Sequence, residues 1–336
     1  MADELLIKDL QAQIERDQVV AIVGAGMSIG ATNRNPLASW KGLLEDGVNR
    51  CCEVARPLPP KGWKERVLSQ IESEDVVDLL SAAENVSDRL VAPDGGEYRR
   101  WLRESVGSLK AQHQGVIEAL HALGAKLATT NYDGLIEEVT GLQPVTWTEG
   151  VKVERVIRGD DQGVLHLHGY WEKPESVVLG IRSYEKVMGD AHAQTVLRAL
   201  QTMKTLLFVG FGFGLKDPNF GGLLRWTGTV FSQSEYRRFR LAKENEADAL
   251  QKEHPPEERL FVLSFGKDHS DLEPFLRKLR THISEPSECK PAALPPAPRC
   301  FGRERELDDL VAVLLAENPQ PVPILGLLGS VKPRSR

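Results

Sequence analysis

The chain has 336 residues, four cysteines and a formal net charge of −6. That length holds one large domain or two of ordinary size, and the acidic balance supplies no global basic field for nucleic acid, so direct nucleic-acid binding is not supported. Cys51, Cys52, Cys289 and Cys300 give no C-x-x-C spacing, which argues against a structural zinc site, and four cysteines in so long a chain do not make a disulfide framework.

Met1-Ala2-Asp3-Glu4-Leu5-Leu6 lacks the basic flank and long apolar core of a signal peptide. No apolar run reaches membrane-spanning length, so a reducing cytoplasm is the expected location. Residues 4–16 read as a short amphipathic helix. The run Val19-Val20-Ala21-Ile22-Val23 then has the length and β-branched content of a buried parallel strand. It ends in Gly24-Ala25-Gly26-Met27-Ser28, where glycines permit a tight turn and close approach of a ligand. Amides exposed at such a turn or helix start favour a phosphate. The dinucleotide fingerprint G-x-G-x-x-G fails here, because Ile29 stands where its third glycine belongs and Gly30 comes one step late.

From Trp40 to Val106 the pattern is mostly helical, broken at Pro57, Pro59 and Pro60. A helix at Gly115–Leu120 leads to a strand at Lys126–Thr130. Further strands are predicted at Val164–Leu167, Val177–Leu179, Thr205–Val209 and Leu260–Ser264, with helices over Asp190–Met203 and Leu272–Leu279. Strands alternating with helices predict an α/β fold, a Rossmann-like doubly wound parallel sheet with a mostly helical insertion. The arginine-rich Tyr236-Arg237-Arg238-Phe239-Arg240 and the region 57–110 are either subunit contacts or solvated surface. Ser284–Arg299 has the Pro, Ala and Ser content of a linker. The segment after it is too short to build its own core.

In open parallel sheets, ligands lie beyond the carboxyl ends of the strands. Four predicted strand ends carry unusual residues: Gly24–Ser28, Thr129-Thr130-Asn131-Tyr132-Asp133, Leu167-His168-Gly169, and Val209-Gly210-Phe211-Gly212-Phe213-Gly214 with Asp217-Pro218 after it. Each has a plainer reading. Asn131 and Asp133 suit a turn or a helix cap. His168 suits a hydrogen-bonded structural histidine, and the Gly210–Gly214 run suits a flexible loop. The plain readings lose ground jointly, because all four would converge on one rim. His166, two residues before His168, would share its face on a strand and either add a polar contact or pack beneath the site.

This order of motifs resembles the sirtuin-like NAD-binding fold over about residues 15–285. It is most similar to the sirtuin-like domains of bacterial anti-phage defence, with their T-N-Y-D and L-H-G forms and a V-G-F-G loop followed by D-P. The resemblance implies that Gly24, Ala25, Gly26 and Ser28 hold the pyrophosphate of NAD. Asn131 and Asp133 would face the nicotinamide ribose as catalytic residues, Asn131 positioning the water or the ribose hydroxyls and Asp133 orienting the loop or stabilising developing positive charge, with Thr130 and Gly169 binding the nucleotide beside them. His168 would be the catalytic base, and Gly210 and Gly212 would close over the nucleotide. Two departures separate this chain from protein-deacylating sirtuins: it has no paired C-x-x-C zinc module, and Ile29-Gly30-Ala31-Thr32-Asn33-Arg34 replaces their G-I-P-D-F-R loop.

The implied activity is therefore hydrolysis of NAD to nicotinamide and ADP-ribose, with no metal. The protein would act as an NAD-depleting effector in defence, gated by homo-oligomerisation or by a phage-derived or host trigger. A non-catalytic NAD- or ADP-ribose-binding module is the alternative, and a deacylase a weaker one. Phe301-Gly302-Arg303-Glu304 and Glu306-Leu307 resemble the opening segment of signal-transducing P-loop ATPases. The corresponding phosphate loop at Gly326–Pro333 has Val331 where glycine is needed and Pro333 where a hydroxyl is needed, so no ATP hydrolysis is expected. The expected layout is a sirtuin-like domain at 1–285, a linker at 286–299 and a truncated ATPase-like tail at 300–336.

Overall fold

In a computed structural model of the chain, Val19–Val23 is the central strand β1, buried at all five positions. The structure describes residues 2–73, 75–195, 204–212 and 237–280. The chain divides into two units, 1–284 and 285–336, and every described residue belongs to the first. The proposed linker and ATPase-like tail lie outside the described residues.

Seven strands form one parallel sheet: β1, β2 (Lys126–Thr129), β3 (Pro144–Thr146), β4 (Val164–His166), β5 (Thr205–Val209), β6 (Arg238–Lys243) and β7 (Leu260–Gly266). Their order is β3-β4-β2-β1-β5-β6-β7. The chain runs outward from β1 on one side and returns to β5 on the other. This is the doubly wound arrangement, with its switch point between β1 and β5.

Side chains alternate between the faces, as the strand period requires. Val19, Ala21 and Val23 join Leu207 and Val209 in the larger core. Val20 and Ile22 join Leu206 and Phe208 on the other face. The larger core is completed by α1 (Ala2–Glu15), by α7 (Gly115–His121) and by the helical insertion. The insertion comprises α3 (Trp40–Val54), α4 (Trp63–Glu72), α5 (Val76–Arg89) and α6 (Gly96–Glu104). Ser39 and Asp75 cap α3 and α5 by accepting the amide protons of Gly42 and Val77. Cys51 is buried in α3, and its thiol is pushed up to about 12 by burial and by the adjacent Cys52. It is a packing residue rather than a nucleophile.

Most predicted elements form where the periodicity placed them, including residues 191–195 of the predicted helix 190–203, whose remainder is not described. Three differ. Val177–Leu179 is not a strand: it follows a 3-10 turn at Pro174–Ser176 as irregular backbone. Its apolar content reflects burial alone, for all three side chains are buried. The strand β3 was not predicted: it is an edge strand that opens on Pro144, a residue that reads as a strand breaker. The arginine-rich run is neither subunit contact nor solvated surface at Arg238 and Arg240. Both lie in the interior strand β6, and Arg240 is only 1% exposed. Backbone carbonyls take part of each guanidinium, and Arg240 Nη1 also lies 3.7 Å from Glu253 Oε2. Arg238 donates to Glu258 O, and Arg240 donates to Phe211 O at 3.2 Å and Gly212 O at 2.9 Å.

Candidate functional site

Strand register builds the site. Val209, Val23, Thr129 and His166 are successive partners across β5, β1, β2 and β4. The residues that follow them, Gly210, Gly24, Thr130 and Leu167, therefore leave the sheet at one level on one edge.

Two glycine turns meet at the switch point. Gly24 N–H donates to Val209 O and Gly26 N–H to Gly210 O, each at 2.9 Å. A Cβ on Gly24 or Gly26 would lie 2.8 Å from Gly210 O, and Gly210 has φ +73°. These glycines are required by backbone-to-backbone packing. Among the described residues, nothing lies within 4 Å of a Cβ placed on Gly30 or Gly212. Ala25 begins the short helix α2 (Ala25–Ala31) and is half-buried. Met27 N–H returns to Gly24 O.

The Thr129–Asp133 segment is pinned at nearly every residue. Thr130 N–H donates to Val23 O, and Asn131 N–H to Thr129 Oγ1. Asn131 Nδ2 donates to Gly24 O at 3.1 Å and to Ser28 Oγ at 2.8 Å. Because a carbonyl accepts only, the first of these bonds fixes which end of the amide is nitrogen. Ser28 Oγ in turn donates to Asp133 Oδ2 at 2.7 Å, and Asp133 Oδ1 accepts Leu135 N–H at the start of α8 (Leu135–Thr140). Burial pushes the Asp133 carboxyl above the usual carboxylate range, against the bonds from Ser28 and Leu135 that hold it down. Ser28, Asn131 and Asp133 are thus one hydrogen-bonded chain, and Asp133 serves both as anchor and as cap.

β4 ends at His166, and His168 lies in the turn beyond it. The expectation that both histidines share a strand face does not hold, for the strand stops between them. His166 turns inward: Nδ1 lies 3.1 Å from Asn131 O, and Nε2 lies 2.8 Å from Glu137 Oε1. It packs beneath the site, the second of its two readings. His168 is 5% exposed, and its ring meets Tyr184 edge-on at 5.6 Å. Gly169 has φ +90°, and a Cβ there would strike Ser176 O at 2.2 Å, so the His-Gly turn depends on this glycine. Val178 N–H donates to His168 O and ties down the following segment.

Sequence reasoning missed Glu137 and Arg240. Glu137, in the first turn of α8, looks like an ordinary helix-start acid. Arg240 looks like surface. No local signal marks either, because their partners are distant in the chain. Among the described residues there is no group of three or more His, Cys, Asp or Glu side chains able to hold a metal ion, and no helix is long and apolar enough to cross a membrane.

Residues 125–264 match the family model of the SIR2-like domain. The matched stretch includes Asn131, Asp133, His168, Gly210 and Gly212, and it begins after the Gly24–Ser28 turn. The parallel, helix-rich α/β architecture agrees with that match. The chain thus carries, at residues 125–264, a SIR2-like domain of the sirtuin superfamily, which includes NAD-using enzymes and regulators.

Proposed function

We propose that the protein is an NAD glycohydrolase that converts NAD and water to nicotinamide, ADP-ribose and a proton. One observation carries this reading. Asn131 is held by its amide nitrogen to both Gly24 O and Ser28 Oγ, at the edge where the two glycine turns meet. With both Nδ2 protons committed, Oδ1 is the end of the side chain left to receive a ribose hydroxyl or a water.

In the proposed reaction the C1′–nicotinamide bond breaks through an oxocarbenium-like state, and nicotinamide leaves as the neutral base. Water forms the new C1′–O bond and gives up its proton. Asn131 orients the water or the ribose hydroxyls, and His168 accepts the proton. Asp133 acts through Ser28 and the α8 cap, as a positioning residue. The glycine turns, Ala25, Ser28, Thr130 and Gly169 line the nucleotide. Gly24 and Gly26 contribute by shape, since their own amides are already bonded within the protein.

The resemblance to anti-phage domains supports a cytoplasmic, NAD-depleting defence role, gated by self-association or by a phage-derived or host trigger. It also supports the layout of 1–285, 286–299 and 300–336. A binding module without turnover is favoured by one feature: Ser28 and Asp133 are already hydrogen-bonded to each other. Incubation of the purified protein with NAD, followed by chromatography for nicotinamide, separates the two. Nicotinamide release supports the hydrolase. Calorimetric binding of NAD without release, at high protein concentration, supports the module.

A further inference from the structure

Beneath the Asn131 turn lies a buried pair that the proposed chemistry leaves unused. The His166 side chain is fully buried, and that of Glu137 is 10% exposed. Nε2 of His166 lies 2.8 Å from Glu137 Oε1, and Nδ1 lies 3.1 Å from the Asn131 carbonyl oxygen. We propose that Glu137 and His166 are positioning residues for the Asn131 turn, Glu137 fixing the imidazole so that its Nδ1–H holds the Asn131 carbonyl in place.

Hydrogen-bond inventory fixes the orientation of the ring. A carbonyl accepts only, so Nδ1 carries a proton and donates to Asn131 O. Nε2 then faces Glu137 Oε1, and that contact keeps the ring from turning away from the Asn131 carbonyl. The Tyr170 ring packs edge-on against the imidazole at 4.8 Å. Glu137 Oε2 is buried and has no hydrogen-bond partner among the described residues, so Oε1 is the atom through which Glu137 acts.

The consequence is mechanical. The Asn131 carbonyl is held by the β4 side chain His166, between Thr129 O, which accepts Leu167 N–H, and Tyr132 O, which accepts Trp171 N–H. Loss of its donor frees the peptide that follows the side chain holding Gly24 and Ser28. This extends the proposed NAD-cleaving site and rests on that reading for its effect on turnover, but not for the pair itself.

Nitrogen-15 NMR of histidine-labelled protein tests it. In wild-type protein Nδ1 of His166 should carry a proton and donate to Asn131 O. In Glu137→Gln the Asn131–Tyr132 peptide resonances should shift. Turnover should fall about 10- to 100-fold in kcat, with KM changed little, as when an outer hydrogen-bond partner of a site is lost. His166→Gln, which keeps a donor for Asn131 O, should retain more activity than His166→Ala. A wild-type His166 whose Nδ1 carries no proton overturns the contact, whether or not any variant folds. Unchanged Asn131–Tyr132 resonances in a folded Glu137→Gln protein overturn the positioning role. Absence of NAD turnover in the wild type would sink the hydrolase reading alone, since the NMR results stand without it.

Discussion

The Gly26 amide donates to the Gly210 carbonyl at 2.9 Å, so the two glycine turns flanking the sheet's switch point are locked to each other. In sequence they look like two separate phosphate loops. In the fold they are one unit, and the glycines are needed first for that contact.

Stability should therefore respond unequally to Gly→Ala along this edge. In Gly210→Ala the new Cβ would sit 2.7 Å from Met27 N on a backbone at φ +73°. Left-handed strain and overpacking together should cost about 2–4 kcal/mol. Gly30→Ala meets nothing within 4 Å inside α2 and should gain about 0.5 kcal/mol through helix propensity. Urea unfolding of the two variants checks both signs. A Gly210→Ala protein as stable as wild type would refute the packing account.

Glu149 gives a pH-dependent prediction. Its carboxylate accepts Thr146 N–H at 3.0 Å and Lys152 Nζ at 2.7 Å, and it pairs with Lys173, so it joins the end of β3 to the segment after the His-Gly turn. Burial alone would raise its pKa. The bonds from Lys152, Lys173 and Thr146 outweigh that effect and bring it to about 2, against an ordinary 4.5. A carboxyl depressed in the folded state stabilises above its unfolded pKa, and the contribution is lost as pH falls through the folded value. Wild type should thus exceed Glu149→Gln in stability at neutral pH. The difference should shrink between about pH 4.5 and pH 2. Thermal melts across that window measure it. A difference independent of pH would mean that the carboxylate's charge contributes nothing.

Arg240 is the internal clamp on the second glycine turn. Its Nη2 serves Phe211 O and Gly212 O, and its Nη1 faces His254 Nε2 at 3.2 Å. An arginine cannot accept, so His254 Nε2 must be the acceptor, and Nδ1–H then donates to Glu258 at 2.8 Å. Arg240→Met should cost about 3 kcal/mol, from buried carbonyls left unsatisfied. Arg240→Lys should recover little of it, since one ammonium cannot reproduce the fork. Urea titration of the three proteins decides the point. Full rescue by lysine would show that charge alone, not the fork, holds the turn.

Legibility followed the range of the interaction. The strands β1, β2, β5 and β7 were readable because burial writes itself into continuous apolar runs. The convergence of Gly24, Asn131 and Gly210 was readable because a parallel sheet delivers strand ends to one edge. Val177–Leu179 misled because buried irregular backbone has the composition of a strand. Arg240 misled because a residue type usually solvated is buried whenever distant carbonyls satisfy it. The Glu137–His166 contact depends on a side-chain rotation that no spacing rule encodes.

The roles of Asn131 and His168 separate by what each variant should lose. Asn131→Ala removes two hydrogen bonds that join β2's end to Gly24 and Ser28, so it should cost about 1–3 kcal/mol of stability as well as turnover. Asn131→Asp should be worse than Ala for stability, because it sets a carboxylate oxygen against the Gly24 carbonyl. His168→Ala removes a buried ring that meets the edge of Tyr184, so it too carries a structural cost. If His168 is the proton acceptor, His168→Ala should lower kcat by about 10²–10⁴-fold while NAD binding by calorimetry stays near wild type. Equal loss of binding and turnover would instead place His168 in the nucleotide pocket without a chemical role. An active His168→Ala protein would move the base elsewhere on the rim, with the Asn131 turn as the place to look.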